Sequence, residues 1–224
     1  MSQKAAATYQ AVLLDLDGTL ADTAPDLANA LNNTLIHYGK DALPFSAIRP
    51  AVSHGGKALI QLGFGFDDNH AAYSETREYL LNTYENNIAT HTKLFDGIPT
   101  ILEYLEEKLI PWGIVTNKPA YLTTPLVIAL SLDTRASCVV SGDTASHSKP
   151  HPAPLFHACK TIGVDAKRCL YIGDAKRDIE AGRNAGMTTL AAAFGYIDKH
   201  DNIEDWGADG IINSALEILD WVKH

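Results

Sequence analysis

The chain has 224 residues, 46% hydrophobic and 20% charged, which suits a soluble globular protein with one large domain or a domain carrying a sizeable insertion. Its 27 acidic against 18 basic residues give a formal net charge of -9, which argues against nucleic-acid binding, since that needs a basic face to displace counterions. A small anionic substrate stays compatible, because a local pocket can oppose the overall sign.

In chain order, AVLLDL (11–16) is the first apolar run of strand length. WGIVT (112–116), ASCVVSG (136–142), CLYIGD (169–174), TTLAAAF (188–194) and ADGIIN (208–213) follow. None alternates cleanly, the pattern expected of parallel strands covered on both faces. Segments with helical periodicity separate them at 98–109, 119–131, 153–163, 176–185 and 214–222. This alternation predicts an α/β fold, a Rossmann-like doubly wound parallel sheet. Right-handed crossovers then gather the strand C-termini on one edge, where such sheets bind ligands. Residues 22–92 break the rhythm, with helical spacing at 25–38, 55–63 and 69–88 and no convincing strand. They are read as an inserted α-helical cap, hinged near Ala21–Ala24 and Thr92–Gly97. Residues 1–21 and 93–224 then form the core domain.

Four strand ends carry polar groups suited to one reaction. The first is followed by Asp15, Asp17, Gly18 and Thr19, and the second by Thr116, Asn117 and Lys118. The third leads to Ser148, Lys149 and Pro150, and the fourth to Gly173, Asp174 and Asp178. Taken singly, Lys149 can be a solvated loop lysine, and Asp174 and Asp178 can be first-turn acids favoured by the helix dipole. Taken together, they match phosphate-ester hydrolysis. A carboxylate can take the phosphoryl group as an acyl phosphate, and Asp15 with Asp174 offers the oxygen ligands that suit Mg²⁺. Lys149 and the Thr116 hydroxyl would stabilise the transferring oxygens. Asp17 would protonate the leaving oxygen and later deprotonate water. Gly18 would let the chain turn and expose nearby N–H groups to phosphate.

DLDGTLADT, VTNKP, SKPHPAPL and YIGDAKRDIEAGRNAGM together resemble the haloacid dehalogenase superfamily of phosphatases, over about residues 11–213. That resemblance implies Asp15 as nucleophile and Asp17 as general acid/base, with Thr116, Asn117, Lys149 and Gly18 around the phosphate. It also implies Mg²⁺ held by Asp15, the main-chain carbonyl of Asp17 and Asp174, with Asp178 supporting through metal-bound waters. A cap between the first two motifs is the placement typical of the phosphoglycolate phosphatase-like branch.

The substrate is less legible. Arg49, His54, Gly55, Gly56 and Lys57 could present cations and helix N-terminal N–H groups to a carboxylate remote from the phosphate. A tight turn with solvated bases is the alternative. HTKLFDG (91–97), PWGIVTNKP (111–119) and GYIDKHDNIEDWGAD (195–209) are similar to N-acetylmuramic acid 6-phosphate phosphatases of peptidoglycan recycling. Phosphoglycolate phosphatase is the alternative that the same residues leave open. A phosphomutase and a receiver-type phospho-aspartate module are rivals of other classes. The receiver needs neither Asp17 nor an insertion, and a dehalogenase needs no phosphate-binding pair. His147, His151 and His157 are read as solvated loop histidines, since prolines interrupt their spacing.

The expected partner is a small phosphate ester, with no nucleic acid and no membrane, on a monomer or weak homodimer. MSQKAAATYQ lacks the apolar core of a signal peptide. No run of about 18 apolar residues suggests a membrane span. Cys138, Cys159 and Cys169 form no CxxC, which favours buried free thiols and a cytoplasmic location.

Overall fold

A computed structural model describes residues 9–198 and 201–223. Most of MSQKAAATYQ, and Lys199 and His200 of the 195–209 stretch, lie outside the described residues. Strand β1 (Ala11–Leu14) leads to a two-residue strand β2 (Ala21–Asp22), then helices α1 (Ala24–His37), α2 (Phe45–Val52), α3 (Gly55–Phe64) and α4 (Tyr73–Glu85). The chain returns through β3 (Lys93–Leu94) to α5 (Ile98–Glu107), β4 (Trp112–Val115), α6 (Ala120–Ala129), β5 (Cys138–Val140) and α7 (Ala153–Ile162). It ends with β6 (Cys169–Gly173), α8 (Lys176–Asn184), β7 (Thr188–Ala192), β8 (Gly210–Ile212) and α9 (Leu219–Val222).

Six strands form a parallel sheet in the order β5-β4-β1-β6-β7-β8. AVLL makes a central strand because it has no polar residue to strand between layers. Val12 and Leu14 face the layer of α5 and α6, while Ala11 and Leu13 face that of α7 and α8. All four are fully buried. After β1 the sheet grows outward through β4 and β5, then jumps back to β6 on the other side. β1 therefore sits at the switch point, and the crevice at its carboxyl end is where such sheets take ligands. The three cysteines are buried and free, with Cys159 and Cys169 sulfurs 3.8 Å apart. No helix among the described residues is long and apolar enough to cross a membrane.

The insertion differs from expectation in three places. Phe45–Val52 is a helix despite Pro50. The carbonyl that proline deprives of a partner belongs to Ser46, an exposed residue, so water can satisfy it. The helix expected over 69–88 begins only at Tyr73, because Asp67 and His70 cap turns through Asn69 and Ala72 N–H groups. The leaving and returning chains also pair as antiparallel β2 and β3, Ala21 opposite Leu94 and Asp22 opposite Lys93. Two residues are too few to show a period. At the C-terminal end, the segment expected as one helix is a 3₁₀ turn, Ala215–Ile218, followed by the short α9.

Helices α1–α4 bury their own apolar cluster, including Leu31, Leu35, Ile48, Leu59, Leu80 and Tyr84, which Leu122 and Tyr196 join from the sheet side. In α1 the apolar residues Ala24, Leu27, Ala28, Leu31 and Leu35 recur at helical spacing, and Pro25 opens its first turn. Asp26, buried in that turn, accepts the N–H groups of His91 and Thr92 and the Thr92 hydroxyl, at 2.7–3.0 Å. One carboxylate thus ties the start of the insertion to its end. We predict that Asp26→Ala lowers unfolding free energy by about 2–4 kcal/mol, because it orphans two backbone donors. Asp26→Asn, which keeps one acceptor oxygen, should cost about half as much. Urea unfolding measures both, and equal midpoints for wild type and Asp26→Ala would refute the tether.

Candidate active site

Asp15 leaves β1 with its N–H bonded to Ile172 O at 2.9 Å, which fixes it between the central strands. Its buried carboxylate meets Lys149, whose Nζ is 2.8 Å from Asp15 Oδ1 and 2.7 Å from Asp178 Oδ1. The same ammonium donates to Val115 O at 2.8 Å and lies 2.9 Å from the Tyr171 hydroxyl. Burial opposes the Lys149 charge, yet Asp15 and Asp178 hold its pKa above the ordinary value. The side-chain amide of Asn117 accepts the Lys149 N–H and donates to Lys149 O, both at 2.9 Å. Asn117 therefore frames Lys149 with its side chain while the residue itself lines the cleft.

Asp174, at the end of β6, accepts Tyr196 N–H at 2.8 Å and the Thr19 hydroxyl at 3.3 Å. No cation among the described residues forms an ion pair with it. Burial, then repulsion by Asp15 and Asp178, pushes its carboxyl up to about 8. Burial likewise raises Asp15 to about 6 against the pull of Lys149. Gly18 (φ 88°) is required here, since a Cβ would collide with the Asp174 carboxylate. Its N–H goes to Ala21 O at 3.0 Å, so Gly18 shapes the turn and does not offer that donor to phosphate.

Asp15, Asp174 and Asp178 each present an oxygen within 4.8 Å of the others, and all three are buried. Three carboxylates against one contacting ammonium leave a deficit of positive charge, and an all-oxygen donor set suits a hard cation. The residues fit a divalent ion. Asp178 already spends Oδ1 on Lys149 and Oδ2 on the Ala175 N–H, and both Asp174 oxygens accept hydrogen bonds, which leaves Asp15 Oδ2 as the oxygen with no hydrogen bond among the described residues.

Asp17 points elsewhere. Its Oδ1 accepts the Thr23 hydroxyl at 2.6 Å and Lys118 Nζ at 2.8 Å. Lys118 also reaches the Tyr84 hydroxyl at 2.9 Å and sits 4.5 Å from that ring's centre. Burial works against the Lys118 charge, but Asp17 and Tyr84 hold its pKa above the ordinary range. The Thr116 hydroxyl accepts the Lys118 N–H at 3.1 Å, leaving its own hydrogen to donate.

A cleft of about 380 Å³ opens over these groups, lined by Asp15, Asp17, Thr116 and Lys118 on one side and by His54–Lys57 on the other. Gly55 and Gly56 form the first turn of α3, whose N–H groups lack intrahelical partners. Lys57 reaches the cleft rim but pairs with Asp68. Arg49 does not line the cleft: both Asp22 oxygens hold its Nη1, at 2.8 and 2.9 Å, and it covers the Tyr196 ring. His147 and His151 stack on each other and belong to no metal-ligating cluster among the described residues.

Sequence reasoning named Lys118 at a strand end without giving it a role, and missed Tyr84, Tyr196 and Arg177. Lys118 lies two residues after the motif threonine, Thr116, and was within reach of a reading by position. Tyr84 and Tyr196 carry no local signal, since their partners lie 34 and 174 residues away.

The family model described as haloacid dehalogenase-like hydrolase matches residues 12–192. A Pseudomonas putida protein named N-acetylmuramic acid 6-phosphate phosphatase is 39% identical over 93% of this chain and 94% of its own length. A Xanthomonas campestris protein named phosphoglycolate phosphatase is 41% identical over the same shares. Among solved structures, a predicted phosphoglycolate phosphatase from Haemophilus somnus superposes with a TM-score of 0.84 at 25% identity, covering 95% of this chain and 97% of that one. With the match running from β1 through β7 and both pairs of chains aligned nearly end to end, this chain belongs to the haloacid dehalogenase-like hydrolase family.

Proposed function

We propose that this enzyme is a Mg²⁺-dependent phosphomonoesterase that works through an aspartyl phosphate on Asp15, with N-acetylmuramic acid 6-phosphate as its substrate. The observation that carries the reading is a buried carboxylate, Asp15, paired with Lys149 in a cleft that also holds Asp17 and Thr116. Residues 1–21 and 93–224 make the catalytic core and 22–92 the helical cap above it. The chain works in the cytoplasm as a monomer or weak homodimer.

Asp15 attacks phosphorus through Oδ2, the oxygen that Lys149 leaves free. A bond forms from Asp15 to phosphorus while the ester P–O bond breaks, and Asp17 protonates the departing oxygen. In the second half Asp17 takes a proton from water as that water attacks phosphorus. The Asp15–phosphorus bond breaks, inorganic phosphate leaves, and the Asp15 carboxylate is restored. Thr116 donates its free hydroxyl hydrogen to the transferring group, and Lys149 supplies positive charge beside it. Mg²⁺ held by Asp15, Asp174 and the Asp17 carbonyl, with Asp178 behind them, would neutralise the phosphoryl charge that otherwise repels the nucleophile.

Two relatives support the sugar phosphate: the Pseudomonas putida protein, and a Pseudomonas aeruginosa protein of the same name at 38% identity over 94% of this chain. Cleft size points the same way. About 380 Å³ falls within the roughly 300–1,000 Å³ that houses a drug-sized ligand, and a two-carbon ester would leave most of it to water. The 41% identical relative favours phosphoglycolate as the second reading. Both esters carry a carboxylate besides the phosphate.

We predict that Asp15→Asn loses at least about 10³-fold in kcat on either ester, because the attacking oxygen is gone. A chelator should abolish wild-type phosphate release and added Mg²⁺ should restore it. Ordinary turnover by Asp15→Asn, or a rate indifferent to the chelator, would refute the mechanism. In Asp17→Asn, rapid-quench analysis should find slower release of both alcohol and phosphate, by about 10²-fold or more; unchanged rates would remove its role. Side-by-side kcat/KM on the two esters decides the substrate, with the sugar phosphate expected to lead by about tenfold or more.

A further inference from the structure

A cleft that reads a carboxylate needs a cation with donors to spare. Most cations near this one are committed. Asp22 holds Arg49 outside the cleft, and Asp68 pairs with Lys57. Lys118 serves Asp17 and Tyr84, and Lys149 serves Asp15 and Asp178. Arg77 lines the cleft but stands exposed on α4, where water and salt screen it.

Arg177 is different. It sits in the first turn of α8, between Asp174 and Asp178, and lines the cleft. Its Nη2 donates to Ser53 O at 2.7 Å and lies 3.3 Å from Ser53 Oγ. Nε and Nη1 make no hydrogen bond among the described residues. Yet no buried side-chain nitrogen among those residues lacks a partner. Neither donor is therefore fully buried, and the cleft is a space that Arg177 lines. Ser53 immediately precedes the His54–Gly56 rim, so its carbonyl anchors one part of the guanidinium at the edge of the cleft that Arg177 lines. A fixed, partly desolvated guanidinium suits a carboxylate better than a mobile ammonium does.

We propose that Arg177 is the specificity-determining residue that binds the substrate's carboxylate through the donors Ser53 leaves free. The proposal rests on the reading of a carboxylated phosphate ester as substrate. It assigns that recognition to the first turn of α8, where the sequence alone had pointed to Arg49 and Lys57.

Two matched pairs of esters test it. N-Acetylmuramic acid 6-phosphate differs from N-acetylglucosamine 6-phosphate by the whole O3 lactyl ether that carries its carboxylate, and 2-phosphoglycolate differs from ethyl phosphate by a carboxylate in place of a methyl group. The preference is kcat/KM for the carboxylated member over its partner, measured with Mg²⁺ for wild type, Arg177→Lys and Arg177→Ala. Wild type should prefer the carboxylated member of at least one pair by about 10²-fold. Both variants should lose at least about tenfold more on that member than on its partner, mainly through KM. Arg177→Lys keeps the charge and decides the matter if Arg177→Ala does not fold. Equal losses on both members of a pair would assign Arg177 to the phosphoryl group or the frame and overturn the proposal. A wild-type preference that survives Arg177→Lys overturns it too, leaving the substrate reading intact. Absence of any wild-type preference in either pair would overturn both.

Discussion

Lys149 is the group on which the arrangement of the site depends. Parallel strands deliver their carboxyl ends to one edge, and here three of the residues placed at that edge are buried aspartates. Buried carboxylates without a counter-charge would give up their charge or pull the edge apart. One ammonium prevents this by touching β1 through Asp15, β4 through Val115 O, β6 through Tyr171 and the first turn of α8 through Asp178. Asn117 in turn fixes the Lys149 backbone from the loop after β4. Compensation stays incomplete, because among the described residues Asp174 has only N–H and hydroxyl partners. The high pKa values of Asp15 and Asp174 express that shortfall, which a bound divalent ion would relieve.

A second set of contacts crosses the seam between the sheet and the helical insertion, always close to an aspartate of the strand ends. Lys118 joins Asp17 to Tyr84 of α4. Tyr196 gives its N–H to Asp174 and its hydroxyl to Asp22, and accepts the Ala24 N–H at the start of α1. Arg177 follows Asp174 by three residues and reaches Ser53 before α3. Under the proposed division into core and cap, any shift of the helices would act on the groups that hold Asp17 and Asp174. The insertion is bound to the chemistry by hydrogen bonds as well as by the apolar cluster that Leu122 and Tyr196 share with it.

Charge in the cleft does not follow the charge of the chain. A net of -9 coexists with a rim where Lys57, Arg77, Lys118 and Arg177 converge. Burial and pairing decide which of these can meet an anion. Lys57 and Arg77 are exposed, and Lys118 is already matched to a carboxylate. Arg177 alone among the four is half-buried with unspent donors.

The sheet, its helices and the motif residues were legible in the sequence because each depends on short-range pattern. AVLL is apolar throughout, so it can only be buried on both faces, and Asp15 follows it directly. Asp174 and Asp178 share a strand end and a helix start in the same way. Partnership was not legible. Whether Arg49 faced a substrate or Asp22, and whether the Gly18 N–H faced phosphate or Ala21, turned on side-chain and turn geometry that no spacing encodes. The helix through Pro50 and the two-residue strands escaped notice because one violates local propensity and the others are too short for a period. By itself, the sequence determined the α/β core, the order of its polar strand ends and the family to which they point. Tertiary structure decided which charges meet, because ion pairing at buried sites depends on distances of about 3 Å between residues far apart in the chain.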